Sequence, residues 1–109
     1  MEHAASSERR LERIVKGFAN HRRIQMMRLL EKREGLSLME VCKVLHVGLK
    51  AGSEHMRKLV LAGLVAKRNH GRWVRHRLTP SAPHVLSLLR TLERQASSEA
   101  ATAGAGTML

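Results

Sequence analysis

Residues 36–78, LSLMEVCKVLHVGLKAGSEHMRKLVLAGLVAKRNHGRWVRHRL, decide the reading of this chain. Ser37-Leu38-Met39-Glu40 fits the S-x-x-E capping box, in which serine and glutamate side chains satisfy each other's backbone N–H groups and open a helix. Leu38, Val41, Cys42 and Leu45 then recur at helical spacing and mark the inward face. A corner is expected at residues 46–48, and a further helix from residue 49 or 50 to 62, with Gly63 as its stop. Residues 64–69 and 72–78 read as strands around His70-Gly71, where glycine supplies the positive φ of a short hairpin turn. Two short helices at a tight corner followed by a hairpin make a helix-turn-helix with a wing.

Working outward, Leu11, Ile14, Val15 and Phe18 form the i, i+3, i+4, i+7 stripe of an amphipathic helix starting near Glu8. Asn20 suits the N-cap of a helix reaching about residue 34, which carries Ile24, Met26, Met27, Leu29 and Leu30. Thr79-Pro80 reads as an N-cap with a first-turn proline for a last helix to about residue 95. That helix holds Val85, Leu86, Leu88, Leu89 and Leu92. Residues 1–7 are expected to be a flexible N-terminus, 8–95 one domain, and 96–109, rich in Ala, Ser, Gly and Thr, a disordered tail. The fold class is mainly α with a small β-hairpin: a winged helix-turn-helix of five helices and a two- or three-stranded wing.

A chain of 109 residues with 43% apolar but only 2% aromatic content supports one small core of Leu, Val, Ile and Met. Dimerisation would bury further apolar surface. The net charge of +11 is uneven: residues 1–49 hold ten Lys/Arg against six Asp/Glu, 50–77 eight against one, and 78–109 two of each. Basic charge gathered on one structural unit is the footprint of a phosphate-binding surface, so double-stranded DNA is the expected partner. Cys42 stands alone, which excludes an intramolecular disulfide. No apolar run approaches the roughly 18 residues of a membrane span, and the N-terminus lacks a secretory h-region. The expected place is therefore the cytoplasm, with no membrane partner. Paired carboxylates, a nucleophile–base set and a phosphate-cradling glycine loop are all missing, so the chain is not read as an enzyme.

A B-DNA major groove admits one α-helix, and Lys50, Ser53, Glu54, His55, Arg57 and Lys58 are the candidate contacts on the helix that would enter it. Arg68, His70, Arg72 and Arg75 would place the wing beside the backbone or minor groove. Glu54 either accepts from a cytosine amino group or pairs with Lys58 at i, i+4. Trp73 is expected to be structural. If about six phosphates are neutralised, log affinity falls against log salt with a slope near −5.

His55-Met56-Arg57-Lys58-Leu59, Ala62-Gly63-Leu64-Val65, Gly71-Arg72-Trp73-Val74 and Arg77-Leu78 occur in that order. Together with Phe18-Ala19-Asn20-His21-Arg22-Arg23-Ile24, they resemble the ArsR-type winged-helix regulators over about residues 14–90. The resemblance implies a dimeric transcriptional regulator, usually a repressor released by an effector. It also implies a dimer interface on the first and last helices: Leu11, Ile14, Val15, Phe18, Val85, Leu88, Leu89 and Leu92. Where that family carries a C-x-C thiolate site, this chain has Ser37 and Met39, with Cys42 one turn on and facing the core. On the last helix only His84 and Glu93 are offered, at the wrong spacing for the family's other metal site. The seven histidines show no H-x-H or i, i+4 pair, so neither a metal nor a cofactor is expected. Two further departures are Gly52, which replaces an apolar residue on the inward face, and His76, which replaces an aromatic in the wing.

Three functions compete at this level: a dimeric sequence-specific repressor, a winged helix that binds an acidic protein, and a non-specific nucleic-acid coat. The operator and the effector are not written in the sequence.

Overall fold

The computed structural model describes residues 6–107, with five helices and one hairpin among them. The order is α1 (Ser7–Phe18), α2 (His21–Lys32), α3 (Leu38–Leu45), α4 (Leu49–Leu61), β1 (Val65–His70), β2 (Trp73–Leu78) and α5 (Ala82–Thr107). Of the segment expected to be flexible, residues 1–5 lie outside the described residues, while Ser6 caps α1 by accepting from the Arg9 N–H.

The caps expected on α2 and α3 form as the sequence dictates. The Asn20 side chain accepts from the Arg22 and Arg23 N–H groups at the head of α2. At α3 both halves of the capping box are present: Glu40 N–H donates to Ser37 Oγ at 3.2 Å, and Ser37 N–H donates to Glu40 Oε1 at 2.8 Å. These bonds hold the Glu40 carboxyl below the usual carboxylate range. α3 ends on His46, in the left-handed region at φ 55 and ψ 47, and the chain turns there into α4. The wing is one antiparallel pair in register Val65↔Leu78 through His70↔Trp73. Where the sequence leaves a third strand open, the wing has a single bridge, Leu36↔His76.

Three expectations are corrected. The hairpin turn is Gly71-Arg72, one residue later than expected, with the positive φ of 64° on glycine at its first position. That is the arrangement a Gly-first two-residue hairpin loop favours. Thr79 does not cap α5: its hydroxyl donates to the Gly63 carbonyl at 2.6 Å, tying the end of the wing to the end of α4. The helix begins at Ala82 instead, with Pro83 in its first turn. Finally, α5 continues from Gln95 to Thr107, over residues where composition predicts a disordered tail. Alanine is the strongest helix former and needs no packing to stay helical once a preceding turn exists. Residues 108–109 of that tail lie outside the described residues.

The core gathers Phe18, Met26, Met27, Leu30, Leu36, Val41, Met56, Leu59, Leu64, Val65, Ala82 and Leu86. Two close approaches set the packing of α4. An ideal Cβ on Gly52 would stand 2.2 Å from Cys42 Sγ, so glycine is what lets α3 lie against α4. The cost of glycine inside a helix is offset by this contact, and the departure at Gly52 finds its reason in Cys42. On the other side, a Cβ on Gly17 would stand 2.2 Å from the Ala62 Cβ, which fixes the crossing of α1 over α4.

Candidate nucleic-acid interface

At about 100° per residue, Lys50, Glu54, Arg57 and Leu61 lie along the outward centre of α4, and all four are exposed. Lys58 and Ala51 lie on the flank toward α1, and Ser53 and Val60 on the flank toward the wing. Inward, Gly52, Met56 and Leu59 are buried. α4 thus offers solvent a face on which cations or a hydroxyl stand at Lys50, Ser53, Arg57 and Lys58, half of these positions.

The central acid is already engaged. Glu54 accepts from Arg57 Nε at 3.1 Å and also from its Nη2, so the carboxylate takes the guanidinium in a two-pronged grip. The partner is Arg57 at i, i+3, in place of the expected Lys58. The arginine hydrogen bonds hold the Glu54 carboxyl below its ordinary range and push the guanidinium up. Both groups are exposed, so the pair contributes little stability and is free to exchange partners.

His55 is turned away from the outward face. Arg23 Nη1 lies 3.1 Å from its Nδ1, and Arg23 Nη2 donates to the Lys16 carbonyl at 3.3 Å. Arginine has only donors, so His55 Nδ1 accepts and the ring is neutral. Desolvation first, then the charge of Arg23, lowers its pKa. Arg23 is 7% exposed and bolts α2 to both α1 and α4, a structural duty the sequence did not announce.

In the wing, Arg68, His70 and Arg72 are exposed at and near the tip, as is Lys67. Lys67 borders a groove of about 210 Å³ with Ser53, Met56, Arg57, Val60 and His76, which places it beside α4. Arg75 differs. Its Nη1 donates to the Gly35 carbonyl at 2.9 Å, which braces β2 against the turn before α3. Trp73, expected to be structural, is 55% exposed and borders an open groove with Met39 and Lys43. Opposite Lys67, His76 is buried with Nδ1 3.0 Å from the Leu36 carbonyl, to which it donates. Here polarity has a use that an aromatic ring would lack.

Burial lowers the His76 pKa, as it does that of His55. Both folded values therefore lie below the ordinary histidine value of 6.5. The unfolded chain takes up protons first as pH falls, so stability is full above about pH 6.5 and declines below it. Urea midpoints are expected to drop between about pH 7.5 and about pH 5, and His76→Gln, which keeps a donor for Leu36, should flatten that decline. An unchanged midpoint in the wild-type chain would contradict the two neutral rings.

Of the residues expected at a dimer interface, Leu11, Val15, Leu88 and Leu92 are exposed at 55%, 46%, 51% and 53%. Ile14, Val85 and Leu89 are half-buried against the core, and Phe18 belongs to the protomer's own core at 8% exposure. Cys42 is buried and its thiol pKa is raised by desolvation. Among the described residues no cluster of three His, Cys, Asp or Glu stands close enough to hold a metal, and no helix is long and apolar enough to cross a membrane.

With an exposed basic helix on a three-helix frame and a basic hairpin beside it, the comparison with known proteins is direct. The winged helix DNA-binding domain family matches residues 20–82, which spans α2 to the start of α5. The chain belongs to this family. Among curated proteins none matches. Of solved structures, the homodimeric winged helix-turn-helix domain Mb0332 from Mycobacterium bovis, described as a possible ArsR-family transcriptional regulator, superposes with a TM-score of 0.74. It is 21% identical, over 91% of this chain and 95% of that one. The transcriptional regulator HlyU from Vibrio vulnificus is 30% identical, with a TM-score of 0.64 over 78% of this chain and 88% of that one. FabT from Streptococcus pneumoniae, solved in complex with DNA, is 16% identical with a TM-score of 0.60, over 71% of this chain and 56% of that one. The winged-helix reading of the sequence thus holds, and the likeness to Mb0332, described as a possible ArsR-family regulator, and to FabT is one of fold. This winged helix has the expected five helices, and of the two or three strands expected in its wing it has two.

Proposed function

We propose that this winged helix is a sequence-specific regulator of transcription that binds double-stranded DNA as a homodimer and acts in the cytoplasm as a repressor. The observation that carries the reading is α4, whose exposed face is lined by Lys50, Ser53, Arg57 and Lys58 and bordered on the wing side by Lys67. A helix in the major groove with cations at its borders meets base edges at its centre and phosphates along its sides. Arg68, His70 and Arg72 at the wing tip would lie against the adjoining backbone. FabT, which is similar in fold, was solved in complex with DNA, which supports DNA as the partner. The homodimeric state of Mb0332, and the exposed Leu11, Val15, Leu88 and Leu92, support the pairing of two copies. Two α4 helices related by a two-fold axis would read half-sites about 34 Å apart. No enzymatic step, cofactor or metal enters this reading.

The Glu54–Arg57 pair supplies selectivity. In the free protein it lowers the charge at the centre of α4, so random sequence gains little from it. On the correct sequence the pair opens, Arg57 donating to a guanine edge or Glu54 accepting from cytosine. Glu54→Ala is therefore expected to raise affinity for random duplex several-fold while reducing discrimination, and Arg57→Ala to lower specific binding more than random binding. One good base contact carries about 1–3 kcal/mol, or roughly 5- to 150-fold. Footprinting on genomic fragments at two salt concentrations, with excess competitor DNA, tests the function itself. A discrete footprint that survives competition is expected; a protein-interaction module would bind duplex at neither salt, and a coat protein would lose its footprint.

A further inference from the structure

We propose that α1 carries a second duplex-contacting surface, a ledge of Arg9, Arg13 and Lys16 continuous with Lys58 of α4, that grips the phosphate backbone on the side of α4 opposite the wing. This rests on the DNA-binding reading above and extends it to residues outside the helix-turn-helix and wing.

Arg9, Arg13 and Lys16 fall at i, i+4 and i+7, one straight stripe on α1. That stripe faces away from Leu11 and Val15, so the surface left for a second copy and the basic surface are different sides of the same helix. The Gly17–Ala62 approach brings the stripe against α4. There Arg13, Lys16 and Lys58 border a groove of about 510 Å³ over Gly17, Leu61 and Ala62. Arg9 and Glu12 continue the surface with Arg13 and Lys16 in the neighbouring groove.

Charge decides the occupant. Among the described residues neither Arg9 nor Arg13 stands within ion-pair distance of a carboxylate, while Glu12 holds Lys16 at 3.1 Å across an exposed pair. The Arg9 and Arg13 heads thus remain, with Lys58, at a border that continues the outward face of α4, and Lys16 joins them when its exposed pair opens. Cations spaced one helical turn apart suit a row of backbone phosphates, and arginine grips a phosphate through two parallel N–H groups. The wing supplies Lys67 on one flank of α4; the ledge supplies the matching grip on the other. Such contacts carry no sequence information, so they add affinity uniformly and fix the register of α4 in its groove.

The experiment is a salt titration of the full chain on a duplex a few helical turns long, by fluorescence anisotropy, with melting curves to confirm folding. Arg9→Gln with Arg13→Gln is expected to reduce the slope of log affinity against log salt by about 1.8, at about 0.9 per lost phosphate contact. The loss should be equal on specific and random duplex. Glu12→Gln, which releases Lys16, should strengthen both several-fold. Arg90→Gln with Arg94→Gln removes the same charge from α5 and should leave the slope unchanged. A ledge variant with the wild-type slope, or an α5 variant that loses as much, would overturn the ledge while leaving DNA binding intact. A wild-type chain that binds no duplex would overturn both readings.

Discussion

Gly17→Ala is expected to destabilise the protein by about 2–3 kcal/mol, the upper part of the roughly 1–3 kcal/mol usual for an overpacked contact. Helix propensity alone predicts the opposite, since alanine in place of a helical glycine gains about 1 kcal/mol. The structure decides against propensity, because the new Cβ would stand 2.2 Å from the Ala62 Cβ. Neither atom can rotate away, both being fixed to their backbones, so α1 and α4 must separate and uncover the core around Phe18 and Leu59. In a small domain with about ten kcal/mol or less in hand, that is a large share. Ala62→Gly in the same chain should restore most of the loss, and a double-mutant cycle by urea unfolding would read the coupling. The corresponding change at Gly52 is expected to cost less. Its neighbour is Cys42 Sγ, a side-chain atom with a rotamer to change. A Gly17→Ala protein as stable as the wild type would contradict the observed crossing of α1 and α4.

The second large effect concerns assembly. Leu88→Glu with Leu92→Glu places two carboxylates on the exposed apolar stripe of α5. Neither side chain belongs to the protomer core, so the monomer should still fold cooperatively, with a melting point lowered only by the lost association and no longer dependent on protein concentration. Sedimentation is expected to show a monomer. Affinity for a duplex carrying two half-sites should then fall at least 100-fold, since linked sites commonly gain about 10²–10⁴ over single ones. Affinity for one isolated half-site should change little. A dimer that persists in sedimentation would move the interface elsewhere.

The parts of this molecule legible in its sequence are those where one residue answers a local backbone need. Ser37 with Glu40 and Asn20 satisfy orphan N–H groups a few residues away, and each cap forms as expected. Hydrophobic spacing likewise located all five helices. The misses share a different cause: each is decided by something far along the chain. Thr79 reads as a cap until Gly63 is brought beside it. Arg75 reads as one more wing cation until the Gly35 carbonyl claims it. Gly17 attracts no notice without Ala62 opposite. His55 reads as an outward helix residue, yet the buried Arg23 draws it in. The α1 cations at i, i+4 and i+7 pass unremarked in the sequence, because only the α1–α4 crossing gives them a place beside Lys58. The α5 extension was missed for another reason, since small residues signal a loose tail and a solvated helix equally well.

The surface formed by α4 and the wing is most directly tested by following backbone amide signals of the isotope-labelled protein during titration with an operator duplex. Shifts are expected along α4 from Lys50 to Lys58 and at the wing from Lys67 to Arg72, while the Leu88–Leu92 stretch of α5 stays still. Shifts confined to α5 or α2, with α4 silent, would contradict the account.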